Sequence, residues 1–238
     1  MKIIALIPAR AGSKRVPFKN IKEFGGKPLI LWSIKTAQVL KLPCYVSTES
    51  RVIGDISRQA GATVIHRPSE LASDTATDLD VINHALSSVF CDLLVYLRPT
   101  TPLRDARRVW AAIKIMGHYD YTSLRSVEEM PESAFKCFGM KDDFLRPLTK
   151  GIDVTDRPNQ ALPRTFHPNG VCDIVRREIV ERGALWGERR YGFITEPVIE
   201  LDTPEQWEYG EYLITKQRSR AELSQAEHSR AKRSGANT

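Results

Sequence analysis

The sequence predicts an α/β fold of the doubly wound, Rossmann-like kind, with a mostly parallel central sheet, and three observations predict it. Ile3 to Ile7 form a short, nearly unbroken apolar run, the pattern of a strand buried on both faces. A loop that is basic and contains glycine, Pro8-Ala9-Arg10-Ala11-Gly12-Ser13-Lys14-Arg15, follows at once. Apolar strand-like runs then alternate with helical spacing as far as Tyr121, as βαβ units require.

Taken in order, Pro28 to Ala37 has helical apolar spacing, with Pro28 suited to a first turn. Leu42 to Thr48 reads as a second strand, and Ser50 caps a helix from Arg51 to Ala60 that Gly61 ends. Ala62 to His66 is a third strand, and Asp78 to Val89 a helix with Leu79, Ile82, Leu86 and Val89 on one face. Its cap is Asp74 or Thr77. Leu93 to Leu97 is the next buried strand, and Asp105 to Met116 another helix. After a strand at Thr122 to Val127 the rhythm breaks. Met130 to Asn159 is irregular, with a hairpin expected from Phe135–Met140 and Phe144–Leu148 around Lys141-Asp142-Asp143. Val171 to Arg176 resumes as a strand, Arg177 to Leu185 as a helix, and Phe193 to Leu201 as the last strand. Thr203-Pro204-Glu205 opens a final helix with a cap residue, a proline and a carboxylate.

A chain of 238 residues is long enough for one sizeable domain, here residues 1–215, with an insertion at about 130–168. No apolar run approaches a membrane span, and Met1-Lys2 leads straight into the first strand, so neither an anchor nor a signal peptide is expected and a cytoplasmic location is. Cys44, Cys91, Cys137 and Cys172 lack paired spacing, which argues against a zinc site or a disulfide framework. The net charge of +6 is concentrated at the end of the chain, and residues 216–238 read as a basic tail passing into disorder. No aromatic residues interleave with those charges, so a nucleic-acid partner is not expected.

Candidate chemistry begins at the first loop. Arg10, Lys14, Arg15 and Lys19 are costly to crowd together unless an anion answers them, and the loop after strand one is where phosphates bind in such sheets. It is not a P-loop and not the three-glycine dinucleotide fingerprint. A plain basic surface loop is the competing reading.

Ile7-Pro8-Ala9-Arg10-Ala11-Gly12-Ser13-Lys14-Arg15, then Lys19-Asn20 and Gly26-Lys27-Pro28-Leu29, resembles the signature of the acylneuraminate (CMP-sialic acid) cytidylyltransferases, which activate nine-carbon 2-keto acids with CTP. The resemblance covers most of the chain to about Tyr212. It implies a nucleotidyltransferase fold whose inserted segment reaches a second subunit, hence a homodimer. It implies nucleotide contacts from Ala9, Arg10, Ser13, Lys14, Arg15, Lys19 and Asn20, with Arg10, Lys14 and Lys19 neutralising charge during the reaction. Arg67-Pro68-Ser69-Glu70-Leu71-Ala72-Ser73-Asp74-Thr75 matches the family's Arg-Pro-x-Glu-Leu-Ala-x-Asp-Thr loop, so Arg67 and Ala76 would meet the base. Asp78 stands where relatives carry a ribose-facing serine.

On the acceptor side the chain departs from the family. Arg98-Pro99-Thr100-Thr101-Pro102-Leu103-Arg104 resembles Gln-Pro-Thr-Ser-Pro-Leu-Arg, with Arg98 for the glutamine that meets the sugar. Such a cation suits the acceptor's carboxylate or a phosphate. Arg164-Thr165-Phe166-His167-Pro168-Asn169-Gly170 resembles Phe-Arg-Pro-Asn-Gly with His167 for an arginine, and Asp173 replaces a tyrosine. Arg98, Thr100, Arg164, His167, Asn169 and Asp173 are therefore the candidate acceptor contacts. Glu200-Leu201-Asp202 reads as the end of a strand, which points both carboxylates to one face, where a divalent ion relieves their repulsion. The family carries Asp-x-Asp there as magnesium ligands, so Mg²⁺ is the implied cofactor. The reading is CTP-dependent transfer of CMP to a sialic-acid-like 2-keto acid. The alternatives are a sugar-1-phosphate nucleotidyltransferase and a nucleotide-binding module without turnover.

Overall fold

The computed structural model describes residues 1–149, 153–217 and 219. In chain order the first elements are β1 (Ile3–Pro8), two short strands β2 (Glu23–Phe24) and β3 (Lys27–Pro28), α1 (Ile30–Val39) and β4 (Cys44–Thr48). Next come α2 (Arg51–Gln59), β5 (Thr63–His66), α3 (Asp78–Ser88), β6 (Leu93–Tyr96), α4 (Ala106–His118) and β7 (Ser123–Glu129). The hairpin strands β8 (Phe138–Lys141) and β9 (Phe144–Pro147) follow, then β10 (Phe166–Arg176), α5 (Arg177–Glu181), β11 (Arg190–Ile194) and α6 (residues 204–217).

Seven strands form one sheet in the order β11-β7-β10-β6-β1-β4-β5, parallel except at β10, which is antiparallel to both β6 and β7. The alternation within β1 distributes side chains to two faces. Ala5 and Ile7 join the core with Ile30, Ile34, Ile53, Val109 and Ile113 of α1, α2 and α4. Ile4 and Leu6 join the core with Ile82, Leu86 and Ile179 of α3 and α5. Helices cover both faces, as the alternating sequence requires. Helix starts are fixed by caps: Ser50 accepts from Ile53 N, and Thr77 with Asp80 forms a capping box at α3. Thr77, not Asp74, is that cap.

Four elements differ from the sequence reading. Pro28 pairs with Glu23 across β2–β3, so α1 starts at Ile30. The helix after β10 ends at Glu181. β10 begins at Phe166, because pairing with β7 draws Phe166-His167-Pro168 into the ladder despite their loop-like composition. β11 ends at Ile194, so Glu200 and Asp202 do not lie on a strand, and alternation is not what places them. The segment is held instead by the Leu201 N–H donating to Thr100 O at 2.7 Å. The basic tail expected over residues 216–238 falls outside the described residues except at 216, 217 and 219.

Candidate active site

The carboxyl ends of β1, β5 and β6 open onto a cleft of about 270 Å³. Its wall includes Arg10, Lys19, Asn20, Arg67, Ala76, Asp78, Arg98 and Thr100, which brings together eight of the residues nominated from sequence. Ligands sit outside such strand ends because the loops there converge and leave backbone groups free.

Asn20 stitches the first loop to the scaffold. Its Nδ2 donates to Arg10 O at 2.8 Å, while its own carbonyl accepts from Ile30 N at 2.9 Å. Its Oδ1 is buried without a hydrogen-bond partner, as is Arg67 Nε. Asn20 and Arg67 thus line the same cleft, and each keeps one buried polar atom without a partner, at a cost in stability. Arg67 is 3 % exposed and held by Glu49 at 3.1 Å, whose other oxygen accepts from Ala11 N at 2.6 Å. Sequence reasoning missed Glu49. Its position directly after β4, at the same sheet edge, was the available signal.

Every loop cation has a carboxylate. Arg10 and Lys14 meet Asp74 at 2.9 and 2.6 Å, and Lys19 and Arg15 meet Asp202 at 2.7 and 3.5 Å. Ser13 is half-buried in the same loop, and Ala9 is fully buried, its N–H donating to Ser47 O at 3.0 Å.

Arg98 lies between two carboxylates, Asp78 at 2.6 Å and Asp173 in direct contact, and Arg125 reaches Asp173 at 3.5 Å. Tyr96 Oη donates to Asp78 Oδ1 at 2.8 Å. Burial works against charge on Arg98, but Asp173 and then Asp78 outweigh it and raise its pKa. Burial, then Asp78, push the Tyr96 phenol far up, so it stays a neutral donor. The three departures at 78, 98 and 173 are therefore one charge-balanced unit. Arg98, expected to await the acceptor's carboxylate, has its charge taken up within the protein. Beneath it, buried Arg104 donates from Nε to Thr101 O at 2.9 Å and from Nη2 to Arg98 O; burial brings its pKa down to about 10.

The other acceptor candidates stand apart from the cleft wall. Arg164 pairs with Glu129 at 2.5 Å and is largely exposed. His167 faces Glu128 at 3.8 Å. Asn169 is buried, its amide donating to Thr195 Oγ1 at 2.7 Å. Gly170 has φ +65°, and a Cβ there would come within 2.5 Å of Thr101 Oγ1 and 2.6 Å of Glu200 Oε1. The absent side chain makes room for Glu200. Burial, and then the negative charge of Asp202, raise the Glu200 pKa.

Fold and cleft together define an α/β protein that receives its ligand at the carboxyl edge of a mostly parallel sheet. The chain belongs to the cytidylyltransferase family, whose model matches residues 4–136. It is 30 % identical over 234 residues to the CMP-N,N'-diacetyllegionaminic acid synthase of Legionella pneumophila subsp. pneumophila, covering 90 % of this chain and 97 % of that protein. It is 29 % identical over 239 residues to the N-acylneuraminate cytidylyltransferase of Escherichia coli O18:K1:H7, covering 96 % of this chain and 56 % of that protein, so it spans little more than half of that relative. A solved CMP:2-keto-3-deoxy-manno-octonic acid synthetase complexed with CTP shares the fold at TM-score 0.71 and 17 % identity, over 91 % of this chain and 100 % of that one.

Proposed function

We propose that the chain is a CTP-dependent cytidylyltransferase that activates a sialic-acid-like 3-deoxy-2-ulosonic acid, giving the CMP-sugar and pyrophosphate. One observation carries the reading: a cleft at the strand ends, walled by the polar side chains of Arg67 and Asn20, adjoins a loop of four cations. That combination suits a nucleoside joined to a polyphosphate. The relatives' names supply the cytosine and the sugar acid.

In this reading the acceptor's anomeric 2-hydroxyl attacks the α-phosphorus, and the bond from α-phosphorus to the bridging oxygen breaks. Arg10, Lys14, Arg15 and Lys19 hold the β- and γ-phosphates and neutralise the charge that gathers on departing pyrophosphate. Arg67, Asn20 and the Ala76 backbone frame the nucleoside. Arg98, Asp78 and Asp173 shape the boundary toward the acceptor, whose carboxylate then finds its hydrogen bonds elsewhere. A sugar-1-phosphate acceptor would have to draw Arg98 away from Asp173, whose side chain is buried where Asp74 beside the loop cations is half exposed, and that weighs against the reading.

Glu200 and Asp202 would hold the magnesium ion. The donor set fits: hard oxygens and mutual repulsion. Bound magnesium would neutralise phosphate charge and polarise the attacking hydroxyl. The same proposal includes a homodimer. β8 and β9 form a separate two-stranded sheet on which Met140, Phe144, Leu145 and Leu148 are each more than 60 % exposed, an apolar surface suited to a second copy. A cytoplasmic location agrees with four free cysteines. No described helix is long and apolar enough to cross a membrane.

Pyrophosphate release tests the reading, with CTP, UTP, GTP and ATP against a panel of 2-keto sugar acids and sugar 1-phosphates. CTP with a 2-keto acid is the expected pair, and a purine nucleotide or a sugar 1-phosphate reacting best would overturn it. Asp202→Asn should raise the magnesium requirement, and adding Glu200→Gln should cost little more, since ligands of one ion are not additive. An unmoved magnesium curve would remove these carboxylates from the metal site.

A further inference from the structure

Cations gathered to receive an anion repel one another, and in this cleft a side chain of the protein answers two of them. Asp74 Oδ1 stands 2.9 Å from Arg10 Nη2, and Oδ2 stands 2.6 Å from Lys14 Nζ. Asp74 is carried in by a braced turn rather than by a loose loop. Ser73 Oγ donates to Glu70 O at 2.8 Å and accepts from Ala76 N at 3.2 Å. Arg10 in turn donates to Ser73 O at 2.9 Å and Ala72 O at 3.3 Å. The guanidinium is therefore positioned by two carbonyls, and Asp74 adds charge to a group already in place.

Asp74 also lines the cleft and is about half exposed, where ion pairs exchange readily with water and other anions. It is not the cap of α3, which Thr77 supplies. Lys14, then Arg10, hold its carboxyl below the usual range, so it is an anion at any pH near neutral.

We infer that Asp74 is an internal occupant of the phosphate subsite, which must leave Arg10 and Lys14 before a polyphosphate takes them. This rests on the reading of the loop as a triphosphate site. Its consequence is selectivity by charge. A polyphosphate, offering several charges to Arg10, Lys14, Arg15 and Lys19 together, displaces the carboxylate. Orthophosphate or a monoanion gains too little to do so. Asp74 thus sets how anionic a ligand must be to occupy the loop.

Calorimetric titration of the full chain with inorganic tripolyphosphate and with orthophosphate, at low ionic strength and without metal, tests this on wild type, Asp74→Asn, Asp74→Ala and Asp74→Glu. Asn keeps the size and Ala removes the hydrogen bonds, so both report on loss of charge. Both should bind tripolyphosphate more tightly, by about three- to tenfold given the modest strength of exposed pairs. Both should begin to bind orthophosphate, whereas Asp74→Glu should follow wild type. Thermal midpoints should be unchanged. A carboxylate that merely tied two loops together would give the opposite sign, weaker binding and a lower midpoint, and that result would overturn the inference. Binding by wild type with unchanged affinity in Asp74→Asn and Asp74→Ala overturns it while leaving the triphosphate reading standing. Failure of all four proteins to bind tripolyphosphate overturns both.

Discussion

Replacing Arg98 by glutamine, the residue of the resembled family, should destabilise this chain. The change leaves main-chain contacts alone, since Ser33 Oγ and Arg104 donate to the Arg98 carbonyl. It strips the counter-charge from two carboxylates, of which Asp173 has a side chain only 6 % exposed and Asp78 one 40 % exposed. Removing one partner of a buried pair costs about 3–5 kcal/mol. Here Arg125 remains 3.5 Å from Asp173, and Asp78 keeps the Tyr96 hydroxyl and some solvent. The cost should fall to about 2–3 kcal/mol. For a chain of this length that is a drop of roughly 4–12 °C in thermal midpoint. Calorimetry on Arg98→Gln, Asp173→Asn and the double variant decides the matter. The double variant should lose far less than the two singles together, because the second change removes the charge that the first left unanswered. A loss under about 2 °C, or strict additivity, would refute the idea that positions 78, 98 and 173 balance as one unit.

Two further outcomes follow from the geometry. Gly170→Ala places a methyl group within 2.6 Å of two oxygens at a left-handed φ and should cost about 1–3 kcal/mol more than Gly183→Ala, where φ is +77° and nothing lies within 4 Å; paired melting curves check it. Phe144→Asp with Leu145→Glu should leave the circular dichroism spectrum unchanged and yield monomers in sedimentation velocity; a dimer that persists would move the proposed interface off this hairpin.

The layering was legible because period and punctuation agree locally. Ile3 to Pro8, the Ser50 cap and the apolar face of α3 each carry their own signal within a few residues. The start of β10 is not legible in the sequence because Pro168, Asn169 and Gly170 look like a loop, and only pairing with β7 makes Phe166 to Pro168 extended. Glu200 and Asp202 lie beyond a strand that stops at Ile194, on a segment anchored by the Leu201 N–H to Thr100 O. The cleft-lining positions came from loops at strand ends, a rule that composition alone can follow. Their charge pairing could not be foreseen: Arg98 and Asp173 lie 75 residues apart, and nothing in either neighbourhood announces the other.

β10 joins two parts of the molecule that tolerate change very differently. From Pro168 to Asp173 it spends five residue steps on two of β7, Val127 to Arg125, so its register is irregular where it passes the cleft. One inserted or deleted residue between Asp173 and Arg176 would turn the neighbouring side chains to the opposite face of the sheet. The hairpin β8–β9 has no such restriction, because it lies beyond a neck closed by the Met130 N–H to Thr165 O at 2.9 Å, the Ser133 N–H to Asn159 Oδ1 at 2.7 Å and Asn159 Nδ2 to Pro131 O at 3.1 Å. Length changes are thus cheap on the far side of that neck and ruinous on the near side. An engineer exchanging arms between members of this family should cut at 130 and 165 and carry β10 over whole.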